Sequence, residues 1–179
     1  MKQFNSPKVC FVGLSGKNGP NGDLLPLDQS TLSGKIVSKV EAQIQAKTIG
    51  SVFVRDNLVK APPMTNGRLR YPTSKEMSAG WRSFQKRLLE RRATVLVLLG
   101  KMVADFVKEK RRIQTISLPF ADNRLLKWAG IDEEGCLVVA VAHPSYVGVY
   151  ARKSVERYAE LIQRAIEDLM GSKRFPKNG

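Results

Sequence analysis

The sequence predicts an α/β fold, a three-layer α/β/α sandwich with a central, mostly parallel four-stranded sheet. Short apolar runs alternate with helical patterns along the chain, and this alternation is typical of a parallel sheet that helices cover on both faces. The length of 179 residues and the hydrophobic content of 42% fit one domain with its own core. Each main apolar run is followed by polar or Gly/Pro-rich sequence, as expected where parallel strands end at one edge of a sheet.

The first half of the chain predicts two strands and one helix. The run KVCFVG at 8–13 predicts a buried strand, which a glycine-rich loop ends. Residues 34–47 predict a helix because their apolar side chains recur on one helical face. The run SVFVRDN at 51–57 predicts a second strand, and a proline-rich loop follows it.

The second half begins with a helix whose start is indicated by a capping box, Thr73-x-x-Glu76. The patterns that follow predict, in order, a strand at 94–100, a helix at 101–110, a minor strand at 113–118, a strand at 136–143 and a helix at 154–170. We therefore expect one domain over residues 1–179, with a frayed tail from about 171 to 179.

Composition excludes several classes of protein. No run approaches the roughly 20 apolar residues that span a bilayer, and the N-terminus lacks the pattern of a signal peptide, so we expect a cytoplasmic protein with no membrane partner. Two cysteines and one histidine cannot assemble a zinc set or a four-cysteine cluster, so we expect no metal and no cofactor. Both cysteines, Cys10 and Cys136, lie in apolar runs, which indicates buried reduced thiols.

Charge is the strongest global signal. Thirty Lys and Arg against sixteen Asp and Glu give a formal net charge of +14 and an isoelectric point near 10.1. Such an excess favours a polyanionic partner, of which nucleic acid is the commonest. A basic surface that serves only solubility is the alternative.

The ends of the predicted strands supply a candidate site. Parallel strands bring their carboxyl ends to one edge, and ligands bind beyond that edge. Three ends carry side chains that can touch a ligand: Ser15, Asn57 and His143, the only histidine. The Asn57 carboxamide offers one acceptor and two donors, which suits recognition of a base edge. Taken singly, an asparagine that caps a turn and a structural histidine are the simpler interpretations.

The loop GLSGKNGPNGD at 13–23 does not have the pattern of a phosphate-binding loop. Lys17 is followed by Asn18 instead of Ser or Thr, and the spacing G-x-G-x-x-G is absent, so an NTPase is not expected. An ordinary strand-to-helix loop and a backbone lining for a ligand pocket fit this stretch equally well.

Several motifs occur in one order along the chain. NLVKAPP begins at Asn57, and it is followed by an Asn-Gly-Arg stretch at 66–68, a proline and a Glu-bearing helix. An apolar strand then ends in Leu-Gly at 99–100, and His143-Pro144-Ser145 comes last. This ordered set resembles the uracil-DNA glycosylase superfamily, in particular branches with Asn-x-Val-Lys/Arg-x-x-Pro-Pro and a later His-Pro-Ser. The resemblance covers roughly residues 8–165.

The resemblance implies a monofunctional DNA glycosylase. Such an enzyme flips a damaged or modified pyrimidine, uracil or a bulkier base, out of double- or single-stranded DNA and hydrolyses its N-glycosidic bond to leave an abasic site. His143 would stabilise the departing base as an oriented donor, and Asn57 would bind the base edge in a pocket with Gly13, Leu14 and Leu27. A monomer that is associated with the nucleoid through DNA is expected.

The resemblance also implies a DNA-binding face around the same edge. Tyr146, Val147 or Tyr150 would fill the gap that a flipped base leaves in the stack. Taken singly, each basic residue could equally be a solvated surface charge. The implied DNA contacts are Lys60, Arg68, Arg70, Ser145, Tyr146, Val147, Tyr150 and Arg152.

The chain departs from an iron–sulfur branch of the family at two cysteine positions. Ala61 stands before Pro-Pro where that branch has a cysteine, and Trp81 stands about where a second is expected. The cluster is therefore not expected, and aromatic packing around Trp81 would replace it as local core.

A second departure concerns the attacking water. Leu14 cannot activate water, and the Ser15 hydroxyl is a poor base. One branch with an apolar Gly-Leu-Ala version of this motif is similar and carries an Asp slightly later, before a Ser-Gly pair. This resemblance implies Asp28, which precedes QSTLSG at 29–34, as the candidate water-activating residue together with Ser15. Asp23 and Glu41 are the runners-up. A dissociative reaction needs only a positioned, weakly assisted water, so the absence of a strong base does not exclude catalysis.

A third departure is Leu27, which stands where relatives often have phenylalanine. Less stacking surface predicts a wider pocket and a bulkier or modified pyrimidine. Two other functions stay open: a catalytically silent nucleic-acid-binding module on the same fold, which the altered first motif favours, and a basic α/β enzyme that acts on small nucleotides. A lyase step is not expected, because the motifs single out no pocket lysine.

Overall fold

The strands and helices that the sequence predicts occur in the predicted order, together with further short strands and one short helix. The structure, a computed structural model, describes residues 7–47 and 50–172. In chain order, its elements are β1 (Lys8–Ser15), β2 (Asn18–Gly19), β3 (Gly22–Asp23), α1 (Leu32–Lys47), β4 (Val52–Val59), β5 (Met64–Thr65), β6 (Arg68–Leu69), α2 (Ser74–Arg91), β7 (Val95–Leu99), α3 (Lys101–Arg111), β8 (Gln114–Ile116), β9 (Leu126–Ile131), β10 (Leu137–Val141), α4 (Pro144–Tyr150) and α5 (Val155–Ser172).

The central sheet has the strand order β4-β1-β7-β10-β9-β8. Its first four strands are parallel, and β9 and β8 continue it in antiparallel pairing. The predicted three-layer fold with a mostly parallel sheet is confirmed. The four strands of the prediction form the parallel part, and the whole sheet has six strands because β8 and the unpredicted β9 extend it.

Two buried clusters cover the two faces of this sheet. Alternate side chains of a strand point to opposite faces, and β1 divides its apolar residues accordingly. Val9 and Phe11 pack with α1 and α5, whereas Cys10 and Val12 pack with α2 and α3. The helices therefore lie in two layers, and the loops at the carboxyl ends of the parallel strands stay open to a ligand.

The predicted capping box starts α2. The Thr73 hydroxyl accepts from the Glu76 backbone N–H at 3.2 Å, and the Glu76 carboxylate accepts from the Thr73 backbone N–H at 2.7 Å. One turn further on, the Trp81 ring packs against Phe84 and Phe106 with ring centroids 5.8 Å apart in both pairs. Trp81 is therefore part of the local aromatic core, as the sequence predicted.

The region after His143, for which the sequence predicted no helix, forms a short helix, α4. Proline is favoured in the first turn of a helix because its missing N–H is not needed there, and Pro144 begins α4. α5 runs through Ser172, so residues 171 and 172 are helical, and the rest of the expected frayed tail, 173–179, lies outside the described residues. Among the helices of the described segments, none has the length and apolar character needed to cross a bilayer.

Candidate active site

The carboxyl ends of the four parallel strands open into one cavity of about 650 Å³. β1 contributes Gly13, Leu14 and Ser15, β4 contributes Asn57, and the short segment between β10 and α4 contributes His143. These residues therefore meet at one cavity, as the positions of the predicted strand ends indicated. Leu27, Asp28 and Arg70 line the same cavity from connecting segments, and Ser145 lines it from the first turn of α4.

His143 is held in one orientation at the end of β10. Its ring packs against Gly100, where an added Cβ would lie 3.3 Å from His143 Cβ and 3.4 Å from Cδ2. Gly100 has a φ of 102°, a conformation that side chains other than glycine rarely adopt. A larger residue at position 100 would therefore both strain the backbone and press on the imidazole.

The hydrogen bonds of His143 define its tautomer. Its Nδ1 accepts from the Ser145 backbone N–H at 3.2 Å and lies 2.6 Å from Ser145 Oγ. A backbone N–H only donates, so Nδ1 is the unprotonated nitrogen, and the proton of the neutral ring is on Nε2. The imidazole can therefore present an Nε2–H donor.

Burial keeps this imidazole neutral. Desolvation first, and the nearby Lys17 ammonium second, lower the pKa of His143 to about 4. Removal from water disfavours the charged ring, and a neighbouring cation disfavours it further. At neutral pH, His143 is thus a neutral hydrogen-bond donor and not a cation.

We expect the pKa to be measurable directly, since the chain contains one histidine. The imidazole proton signals in NMR spectra should titrate with a midpoint near 4. Because the folded-state pKa lies below the unfolded value of about 6.5, the stability from the neutral ring is fully present above about pH 6.5 and is lost as pH falls toward 4. The protein unfolded in urea is the control and should titrate near 6.5; equal midpoints in the two samples would contradict the buried, neutral ring.

Asn57 is fixed through its backbone. It is 5% exposed, its N–H donates to Asp56 Oδ1 at 2.8 Å, and its carbonyl accepts from Arg87 Nη2 at 2.8 Å. Asp56 Oδ2 in turn accepts from Arg87 Nε at 2.8 Å and from Arg91 Nη1 at 2.7 Å. Two arginines of α2 therefore hold the end of β4, which leaves the Asn57 carboxamide for recognition.

The segment before α1 forms a wall of the cavity through Leu27 and Asp28. Leu27 has a φ of 51°, a left-handed conformation that is costly for a branched side chain. Its carbonyl accepts from Arg55 Nη1 at 2.7 Å, while Arg55 Nε and Nη2 bind both Glu41 carboxylate oxygens at 2.9 and 2.7 Å. The Arg55–Glu41 pair thus holds Leu27 in this conformation.

The positions of the three acidic candidates differ. Asp28 lines the cavity, and hydrogen bonds from Ser30 lower the pKa of its carboxyl group, so it is ionised at neutral pH. Glu41 spends both carboxylate oxygens on Arg55, and Asp23 lies on the exposed β2–β3 hairpin. Among these three, Asp28 is the residue at the cavity.

Two lysines at the cavity were not singled out from the sequence. Lys17 and Lys101 line it and are exposed, and Lys101 forms an ion pair with Asp105. Both come directly after a glycine at the end of a parallel strand, in Gly16-Lys17 and Gly100-Lys101. That position is the signal that could have identified them.

Outside the cavity, the expected DNA contacts fall into two groups. Five of them are exposed around the same edge, namely Lys60, Arg68, Tyr146, Tyr150 and Arg152. Val147 is fully buried in the core under α4, so the expectation that it could act as a wedge is wrong. Its neighbour Tyr146 points outward because successive residues of a helix face different directions.

Arg70 is already engaged within the protein. Its Nη1 and Nη2 bind the two Glu76 carboxylate oxygens at 2.7 Å, and its Nε donates to Thr65 Oγ1 at 2.7 Å. A further bond from Nη1 reaches the Tyr71 carbonyl at 2.9 Å. Arg70 therefore organises the segment between β6 and α2, and little of its guanidinium remains for a phosphate.

The family model described as the uracil DNA glycosylase superfamily matches residues 33–170. The chain belongs to the uracil DNA glycosylase superfamily. Members of this superfamily act on DNA, and the membership supports a DNA glycosylase-like function for the chain. The match includes Asn57 and His143 but not residues 8–32. No curated protein sequence matched the chain.

Proposed function

We propose that the protein is a monofunctional DNA glycosylase that receives one flipped pyrimidine, uracil or a bulkier modified base, in the cavity and leaves an abasic site. The observation that carries the proposal is the pairing of Asn57 with a neutral, oriented His143 in one cavity of about 650 Å³. The net charge of +14 supports a DNA partner.

In the proposed reaction, the bond between C1′ of the sugar and the pyrimidine nitrogen breaks, and its electron pair leaves with the base. Negative charge develops on the base oxygens, and the His143 Nε2–H would donate to one of them. The hydroxyl of water adds to C1′, and the remaining proton neutralises the base. A preoriented donor in a water-poor site stabilises such charge without reorganising, which is the usual source of most of the rate.

Asp28 would orient the attacking water. Its carboxylate is ionised, but the Ser30 hydrogen bonds that lower its pKa also make it a weak base. It would therefore accept a hydrogen bond from water and stabilise positive charge on the sugar, together with the Ser15 hydroxyl. This assignment fits a reaction in which the glycosidic bond breaks before water attacks.

The base pocket supports a substrate of some bulk. Leu27 supplies an aliphatic wall with less stacking surface than an aromatic ring. Gly13 lets the Asn57 amide approach β1 closely, since an added Cβ would lie 2.5 Å from Asn57 Oδ1 and 3.4 Å from Leu27 Cδ2. By rotating, the Asn57 amide can pair with a uracil-like or a cytosine-like edge. The binding of bulkier pyrimidines is therefore compatible with the residues present.

The test is a panel of oligonucleotides that contain uracil, hydroxymethyluracil, hypoxanthine or modified cytosines, each scored for alkali-labile sites without added metal. We expect abasic sites with at least one bulkier pyrimidine. Activity on uracil alone would overturn the modified-base assignment, and no base release from any substrate would overturn catalysis.

Gly13→Ala is expected to slow base release, because its methyl group occupies the place of the Asn57 amide oxygen. Overpacking of this kind costs about 1–3 kcal/mol, so thermal unfolding should be measured beside the rate. Gly171→Ala is the matched control, since an added Cβ there meets nothing within 4 Å. Equal rates of base release by Gly13→Ala and Gly171→Ala would contradict the proposed role of the Asn57 carboxamide in binding the base.

A catalytically silent DNA-binding module is the second candidate, and the first loop favours it. The end of β1 brings Leu14 and Ser15 to the cavity instead of an acidic or amide side chain. This alternative predicts DNA binding that weakens steeply with salt, without base release from any member of the panel.

A further inference from the structure

Tyr71 is the most exposed large hydrophobic side chain among the described residues, with 76% of its surface accessible. It nevertheless lines the mouth of the cavity, as does the neighbouring Leu69, which is 49% exposed. A large aromatic ring that is left in solvent beside a binding cavity is a candidate contact for a partner. Neither the reaction steps nor the α4 wedge accounts for it.

The backbone that carries Tyr71 is fixed on both sides. The Tyr71 carbonyl accepts from Arg70 Nη1 at 2.9 Å, and the Arg70 backbone N–H donates to the Pro63 carbonyl at 3.1 Å. Pro72 follows and is buried, and Thr73 caps α2 directly after it. A rigid backbone with one exposed tyrosine loses little conformational entropy when it binds a partner.

The sheet topology separates Tyr71 from α4. The Tyr71 segment follows β4 at one edge, whereas α4 follows β10, with β1 and β7 between them. Three strand spacings amount to about 14 Å. Since α4 carries Tyr146 and Tyr150 with ring centroids 5.5 Å apart, exposed aromatic side chains flank the cavity mouth from both sides.

Cations accompany the aromatic ring on the β4 side. Lys60 and Arg68 are exposed, and among the described residues no carboxylate forms an ion pair with either of them. A positively charged groove with aromatic rings on which bases stack is the usual arrangement of proteins that bind single-stranded nucleic acid.

We propose that Tyr71 is a stacking platform for an unpaired base next to the flipped nucleotide, and that the cavity thereby takes single-stranded DNA. This proposal extends the proposed function and rests on it, because it assumes that a flipped nucleotide of a DNA strand enters the cavity. A DNA strand that lies across this edge of the sheet, from the β4 side to the β10 side, places one base next to the flipped nucleotide over Tyr71. The base on the other side of the flipped nucleotide lies over α4. Because every base has an aromatic face, this contact selects an unpaired strand and not a sequence.

Binding measurements test the platform without requiring catalysis. Fluorescence anisotropy would compare single-stranded DNA that carries a stable abasic analogue with an intact, fully paired duplex. Loss of one base–aromatic stack typically weakens binding by about 5- to 150-fold. We therefore expect the affinity of Tyr71→Ala for the single strand to fall by that factor, and its affinity for the duplex to fall by less than about 2-fold. Tyr71→Phe should bind as the parent does, and Leu89→Ala, 69% exposed on α2, is the matched control.

A fluorescent base reports the stack itself. 2-Aminopurine placed beside the abasic analogue, on the 5′ side in one oligonucleotide and the 3′ side in another, should be quenched at one of the two positions. Tyr71→Ala should relieve that quenching and Leu89→Ala should not. Unchanged affinity of Tyr71→Ala, an equal loss for the duplex, or unchanged quenching would each overturn the proposal. A protein that releases no base yet shows these effects would refute only the proposed reaction.

Discussion

Replacing His143 with alanine is expected to slow base release by about 100- to 1,000-fold, the usual loss when one preoriented donor to a developing anion is removed. The ring is neutral because its pKa is about 4, and its Nδ1 is occupied as an acceptor of the Ser145 N–H. The lost group is therefore a single N–H donor. Single-turnover rates on the best substrate of the panel would measure the loss, and DNA affinity should change little.

Ser145→Ala separates orientation from donation. It removes the hydroxyl 2.6 Å from Nδ1 but keeps the backbone N–H that binds the same nitrogen. We expect a smaller loss of rate than for His143→Ala. A His143→Ala enzyme that keeps the full rate would show that another group stabilises the departing base.

Asp56→Ala is expected to have the largest effect on stability. The Asp56 side chain is 3% exposed and forms ion pairs with Arg87 and Arg91, and its other oxygen accepts from the Asn57 N–H. Removing one partner of a buried ion pair typically costs about 3–5 kcal/mol because the remaining charges are left without compensation. At about 2–4 °C per kcal/mol for a chain of this size, the melting temperature should fall by roughly 6–20 °C.

Glu90→Ala is the control for this loss of charge. Glu90 lies on the same helix as Arg87 and Arg91, and its ion pair with Lys86 is exposed, with an N–O distance of 3.9 Å. Exposed pairs contribute about 0–1 kcal/mol, so calorimetry should find little change. Equal melting temperatures of Asp56→Ala and Glu90→Ala would refute the stabilising role assigned to the ion pairs of Asp56 with Arg87 and Arg91.

Much of the fold could be predicted because its strands and helices have clear apolar periodicity. Three of the four parallel strands, β1, β7 and β10, are largely buried on both faces, so each appears as a nearly continuous apolar run. The fourth, β4, lies at the edge of the sheet and was predicted from the apolar residues at its start. β9 was missed because LKWAGI mixes an exposed lysine and a glycine into the strand. α4 was missed because its seven residues are fewer than the 11–18 over which helical periodicity becomes visible.

The candidate site was predictable to the extent that parallel strands end at one edge. Ser15, Asn57 and His143 belong to such ends, and the structure brings them together. The ion pairs that hold Leu27 and the end of β4 join residues 14 to 35 positions apart in the chain, as in Arg55–Glu41 and Asp56–Arg91. No local pattern specifies such partners, because they depend on how a helix lies over the sheet.

Leu27 sets a limit on how this protein can be stabilised. A glycine at position 27 would relieve the left-handed backbone. The same change would remove the side chain that lies closest to Gly13 after the Asn57 amide oxygen. A protein that needs the Leu27 side chain at this cavity wall can therefore retain a residue with a strained backbone. Substitutions that raise thermal stability then have to lie at positions remote from this wall.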